Sequence, residues 1–222
     1  MKPELIVMLT YNDQTIEKAE ETFDSMKDLP VTHWGFKDVG LPEEKMARLV
    51  EKMKAAGKTT YLEVVSLSQE EGESCARLAA KLGFDVLMGT VYYDSILEIT
   101  KSSGLKYYPF IGDVYGHPSV LSGEFDLYSN QIHELTKKGV DGFDLLTFRY
   151  TGNAEELLEK VAQQVKVPLI SAGSIDSFRR IDLLRETETW GFTIGTAFFE
   201  KSFVPGGSFS ENMMAVWGYC QR

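Results

Sequence analysis

Two glycine-containing stretches and a few charged residues on otherwise apolar segments carry the chemistry available to this 222-residue sequence. Ser171-Ala172-Gly173-Ser174 follows the run Val167-Pro168-Leu169-Ile170, and Gly195-Thr196-Ala197 follows Gly191-Phe192-Thr193-Ile194. Small residues directly after two consecutive strands leave backbone N–H groups bare, and such groups at the start of a helix are a ready anion site. Two such turns side by side suit one phosphate. Ala172, Gly173, Ser174, Gly195 and Thr196 are the candidate phosphate-binding residues.

The candidate reacting groups lie elsewhere. Lys37 sits near the end of the segment 31–38, and Glu63 lies inside the segment 59–66. On neighbouring inward-facing strands they could meet as an acid–base pair, or as a lysine of lowered pKa beside a carboxylate. A salt bridge filling the interior is the structural alternative. The segment 106–114 ends in Gly112-Asp113, and the connection after it is the longest in the chain and the one that carries a histidine, His117. Long loops in compact folds often act as lids. Asp113 and His117 are candidates for a base and a substrate contact, with helix capping or turn stabilisation as the alternative.

The segment 140–150 offers Asp144, Thr147 and Arg149. Thr147 and Arg149 share a parity, so both are expected to face the same interior, and an arginine there suits a substrate carboxylate or a second phosphate. Asp144 has the opposite parity and is expected to face a helix. The candidate catalytic set is therefore Lys37, Glu63, Asp113 and Arg149, with His117 and Thr147 as substrate contacts. His33, His133 and the three tryptophans read as structural or surface residues, and Asp176 and Ser177 as caps of a helix.

These residues need a scaffold. The run 4–10 is apolar throughout, as a strand buried on both faces must be. A helix is expected over 15–27, where Ile16, Ala19, Phe23 and Met26 share one stripe. The cycle then repeats. Strands are expected at 31–38, 59–66, 84–90, 106–114, 140–150, 167–170 and 191–194. Helices between and after them are expected at 41–56, 68–83, 94–103, up to Gly139, 153–165, from Asp176, and at 210–220. Eight alternating units predict one closed (β/α)8 barrel over residues 1–222. A doubly wound open sheet is the alternative, though GxGxxG is missing after the first strand.

Pro168-Leu-Ile-Ser-Ala-Gly173-Ser-Ile and Gly191-Phe-Thr-Ile-Gly195-Thr-Ala197 resemble the last two strands and turns of the ribulose-phosphate-binding barrels. That superfamily includes the phosphoribosyl isomerases of histidine biosynthesis, indole-glycerol-phosphate synthase and the tryptophan synthase α subunit. The resemblance implies that backbone amides of these two turns hold a substrate phosphate, and Gly173 and Gly195 are the positions that transfer. The catalytic signatures do not transfer. The isomerases carry an aspartate in strand one where this chain has Ile6, Val7 and Met8. Orotidine-phosphate decarboxylases carry D-x-K-x-x-D on strand three where this chain has Tyr61-Leu62-Glu63. A class I aldolase would want a lysine on strand six, where this chain has Phe148-Arg149-Tyr150.

Composition narrows the partners. A net charge of −10 without a basic patch argues against nucleic acid or a membrane surface. An apolar fraction of 43% supports a sizeable core. Cys75 and Cys220 have no CxxC spacing, and Cys75 reads as core. The N-terminal apolar run is too short for a signal peptide, so the expectation is a cytoplasmic protein. No cofactor is expected, and a metal is expected only if Asp113, Glu63 and His117 meet in space. The expected ligand is a phosphorylated small molecule, with isomerisation, epimerisation or carbon–carbon lysis as its chemistry and a homo-oligomer as a possible assembly. A regulatory barrel that senses such a ligand is the alternative, and a ligand-free scaffold the third.

Overall fold

The computed structural model describes residues 2–222. Eight parallel strands close into a barrel: β1 (Glu4–Met8), β2 (His33–Lys37), β3 (Thr59–Val64), β4 (Val86–Val91), β5 (Lys106–Phe110), β6 (Phe143–Leu145), β7 (Leu169–Ser171) and β8 (Gly191–Ile194). Each pairs with its neighbour in sequence, and β8 returns to β1 in a register running from Glu4 with Gly191 to Val7 with Ile194. That closure makes the fold a (β/α)8 TIM barrel and excludes the open sheet. The outer layer is α1 (Ala19–Asp24), α2 (Glu43–Ala55), α3 (Gln69–Leu82), α4 (Asp94–Ser103), α5 (Phe125–Lys138), α6 (Ala154–Gln164), α7 (Phe178–Glu186) and α8 (Phe209–Cys220). No helix among the described residues is long and apolar enough to cross a membrane.

The alternation of side chains decides what enters the barrel. Trp34 meets Phe23 of α1 edge-on with centroids 5.2 Å apart, and Phe36 meets Phe84 at 5.2 Å. These residues of β2 therefore face the helices, which turns His33, Gly35 and Lys37 into the pore. Parallel partners face the same way, so the register of Lys37 with Glu63 sends Glu63 inward beside it. Gly35 leaves the width this layer needs: a Cβ there would stand 2.8 Å from both Met8 Sδ and Tyr61 Cβ. At the opposite end of β2, His33 Nδ1 lies 2.8 Å from the Tyr61 hydroxyl and the ring stands edge-on to Trp190 at 5.6 Å. Burial lowers its pKa, and its role there is packing.

Three segments depart from the sequence expectation, all at the C-terminal ends of strands. After β1 the chain folds back in a small antiparallel hairpin, Thr10–Tyr11 against Gln14–Thr15, so α1 starts only at Ala19. Asn12 and Asp13 form its two-residue tip with φ of 50° and 59°, values that Asn and Asp tolerate better than most residues. After β5 the expected lid is a second hairpin, Asp113–Tyr115 against Val120–Ser122. β6 stops at Leu145 and gives way to a 3-10 turn at Thr147–Arg149, so the strand parity assumed for Thr147 and Arg149 does not hold. A single helical turn, Thr196–Phe199, follows β8 directly.

Candidate functional site

A cavity of about 800 Å3 opens at the C-terminal ends of the strands. Its lining includes Met8, Lys37, Glu63 and Thr193 from strands, Asp13 from the first hairpin, Arg149 from the 3-10 turn, and the turns after β7 and β8. Pro118, Ser119 and Val120 of the second hairpin form part of the wall. This is the face where barrels of this kind place their chemistry.

Four charged groups converge in it. Lys37 Nζ lies 3.1 Å from Glu63 Oε1 and 2.8 Å from Asp13 Oδ1. Arg149 takes the same Asp13 carboxylate through two nitrogens, at 2.9 and 3.2 Å. The side chains of Lys37, Glu63 and Asp13 are only 9%, 8% and 10% exposed. In the ring of eight strands β2 and β6 stand opposite one another. Asp13 therefore bridges cations that approach from opposite sides of the mouth.

The electrostatics follow from that contact. Burial opposes ionisation of Asp13, but hydrogen bonds from Arg149 and the charge and hydrogen bond of Lys37 offset it and bring its pKa down to about 2. Burial likewise opposes the charge on Lys37, yet Glu63 and Asp13 outweigh it, and its pKa is raised. Lys37 is thus a firmly protonated ammonium, which corrects the expectation of a lysine of lowered pKa. It can stabilise developing negative charge but is a poor base.

Asp144 is the second correction. It is wholly buried, and neither carboxylate oxygen has a hydrogen-bond partner. Its Cα is in register with Phe110 and Ile170, between the outward-facing Phe143 and Leu145, so its side chain points into the barrel rather than at a helix. Burial, then the charge of Glu63, push its pKa well up, against a smaller pull from Lys37 and Arg149. A carboxyl in that setting holds its proton more firmly than an exposed one.

The turns after β7 and β8 lie on the same cavity. Gly173 and Ser174 have φ of 77° and 58°, and no hydrogen-bond acceptor engages their N–H groups among the described residues. A Cβ on Gly173 would stand 2.6 Å from Arg149 Nε, and one on Gly195 would stand 2.7 Å from the Thr10 carbonyl and clash with Thr10 Oγ1. Both glycines thus let other parts of the site approach. The Asn12 N–H donates to Thr196 Oγ1 at 3.3 Å, tying the first hairpin to the β8 turn. Ala172 is buried behind the turn, donating its N–H to the Leu145 carbonyl at 2.9 Å, and does not line the cavity.

The remaining candidates separate. Thr147 is fully buried, accepts from Ser171 Oγ at 2.7 Å and stands behind the wall instead of in the cavity. Asp113 and His117 are both exposed and outside the lining, and Asp113 accepts from Ser122 Oγ at 3.2 Å across its hairpin. The lid segment reaches the cavity, but with Pro118 to Val120. Asp113, Glu63 and His117 do not meet, and no group of three metal-ligating side chains forms among the described residues. Asp176 does not cap α7. It lines the cavity and pairs with Arg180 at 2.9 Å, while Ser177 at the N-cap makes no side-chain cap bond. Cys75 donates to Asp38 at 3.2 Å, and burial raises its pKa, so it is no nucleophile.

Sequence reasoning passed over Asp13. The available signal was a polar Asn-Asp break at the C-terminal end of a fully apolar strand, at the functional face of a barrel.

No family model matches the sequence, and neither does any curated protein. Solved structures do match in fold. Orotidine 5'-phosphate decarboxylase from Pyrococcus horikoshii OT3 aligns with a TM-score of 0.70 at 11% identity, over 98% of this chain and 99% of that one. KGPDC from Streptococcus mutans aligns at 0.69 and 12% identity, over 100% and 99%. A glycerol uptake operon antiterminator regulatory protein from Listeria monocytogenes aligns at 0.61 and 15%, over 87% and 91%. At these identities the likeness is one of fold, a (β/α)8 barrel. The likeness of fold to the decarboxylase and to KGPDC covers nearly the whole chain, 98% and 100% of it.

Proposed function

We propose that this protein binds a small phosphorylated metabolite and moves a proton on it, in an isomerisation, an epimerisation or a carbon–carbon lysis. The observation that carries this reading is the Lys37–Glu63 pair, 3.1 Å apart and buried in the cavity that the two glycine turns border. Backbone N–H groups at Gly173, Ser174 and Thr196 would hold the phosphate. A carbonyl beside Lys37 would be polarised by a fixed ammonium, and Glu63 is the carboxylate placed to take the neighbouring proton. Arg149 would orient an anionic or hydroxyl group at the mouth. Structural neighbours named for enzymes acting on phosphorylated compounds support the reading at the level of fold.

A second reading, a sensor without chemistry, is favoured by one observation. Asp13 already pairs both cations of the cavity, and one fold neighbour is named as a regulatory protein. Incubation with pentose and hexose phosphates in heavy water separates the two. Proton NMR should register exchange of a carbon-bound hydrogen, and Glu63→Gln should abolish that exchange without abolishing ligand-induced thermal stabilisation. Stabilisation without exchange in the native protein would favour the sensor. No stabilisation by any phosphorylated ligand would remove both.

A further inference from the structure

The contact between Asp13 and the two cations says more about the ligand than that it carries a phosphate. In a barrel of eight strands, Lys37 on β2 and Arg149 after β6 reach toward each other from opposite sides, and the carboxylate of Asp13 closes the gap between them. It does so from the two-residue tip of a hairpin, at 2.8 Å from Lys37 and 2.9 Å from Arg149, above the Lys37–Glu63 contact. A ligand that presents a reacting carbon to Lys37 and Glu63 must occupy the place where that carboxylate lies.

What can displace it is limited by charge. Lys37 and Arg149 together carry two positive charges, balanced by Asp13 and Glu63. Withdrawing Asp13 and putting a neutral group in its place would leave one poorly screened cation too many, and uncompensated buried charge is among the costliest arrangements in a protein. Exchanging one carboxylate for another leaves the balance as it was. A planar guanidinium already engaged through two nitrogens offers the geometry that carboxylates fit. The exchange needs only rotation of the Asp13 side chain, since the hairpin itself is tied by Asn12 to Thr196 and by Thr15 to Lys37.

We infer that Lys37 and Arg149 form a carboxylate subsite which Asp13 fills from within the chain, and that the ligand is a phosphorylated sugar acid or related phospho-carboxylate whose carboxylate takes that place by exchange. This rests on the phosphate reading of the Gly173 and Gly195 turns. The substrate's phosphate sits on the β7–β8 side of the mouth, and its carboxylate sits between β2 and β6. Asp13 then acts as an internal competitor for that subsite, which a ligand carrying a phosphate alone leaves in place.

Two small probes that differ in one group test this. Glycerol 3-phosphate carries a phosphate, and 3-phosphoglycerate carries a phosphate and a carboxylate. Thermal-shift titrations of the native chain should give an affinity for 3-phosphoglycerate at least tenfold above that for glycerol 3-phosphate, although a chain of net charge −10 repels the more anionic probe more strongly. Arg149→Ala should erase the preference while glycerol 3-phosphate still binds. Asp13→Asn should widen it, because the internal competitor is weakened. Equal affinities in the native chain, with both probes binding, would overturn the carboxylate subsite and leave the phosphate site standing. A narrowed preference in Asp13→Asn would also overturn the exchange. Binding of neither probe at millimolar concentration, inorganic phosphate included, would overturn the phosphate reading and this inference with it.

Discussion

Lys37 Nζ stands between two carboxylates, 2.8 Å from Asp13 and 3.1 Å from Glu63, with scarcely any water around it. A cation so placed is the keystone of two buried anions. Lys37→Met leaves Glu63 buried without a partner, and removing one member of a buried pair costs about 3–5 kcal/mol. The double variant Lys37→Met with Glu63→Leu should recover much of that loss. Urea denaturation of the three proteins checks the order, and a double variant weaker than the single one would mean that the pair is not the source.

Asp144 should make the protein respond to pH in a direction opposite to Asp13. Its pKa is raised in the fold, so the native state holds a proton that the unfolded chain releases above about pH 4. Stability from this group is fully present below that pH and falls as pH rises toward the native pKa, by about 1.4 kcal/mol per pH unit. Asp144→Asn removes the slope. The stability of the variant relative to the native chain should improve as pH rises above about 4, whatever constant offset the amide brings. A gap that stays constant with pH would mean Asp144 ionises normally.

For Asp13 the sign reverses. With its pKa lowered to about 2, its contribution is present above about pH 4 and is lost as pH falls toward 2. The shift corresponds to about 2 kcal/mol. Acid denaturation of Asp13→Asn should accordingly lack that loss of stability between about pH 4 and about pH 2 which the native chain undergoes.

The glycine turns should be separable from the barrel that carries them. Gly173→Ala places a Cβ at a φ of 77° against the Arg149 stem, which costs roughly 1–2 kcal/mol and moves the arginine. Gly195→Ala pushes on the Thr10 carbonyl. Each variant should lose most phosphate affinity while far-UV circular dichroism stays native. Unchanged phosphate binding in both would remove the anion site from these turns.

Thr147→Val should do the opposite. The Ser171–Thr147 hydrogen bond, 2.7 Å long, lies wholly inside the protein, and leaving Ser171 without it costs about 1–3 kcal/mol. Ligand affinity should not change. A fall in affinity at unchanged stability would return Thr147 to the site.

Much of this protein is written locally. The eight apolar runs, the glycines that end α3, α4 and α5, and the small residues after β7 and β8 act within a few residues of themselves, so the barrel and the two turns that border its cavity follow from the sequence alone. Lys37 and Glu63 could be paired on paper because neighbouring parallel strands share a face. The site's other half was not legible, because it depends on where the regular period breaks. β6 ends after Leu145, and the 3-10 turn that follows turns Thr147 into the wall and Arg149 to the cavity, while Asp144 stays on the inner face. Asp13 reaches Arg149 across 136 positions of chain through a hairpin only two residues long on each side. Periodicity cannot encode that contact. Closure of the barrel decides it, by bringing β1, β2 and β6 around one axis.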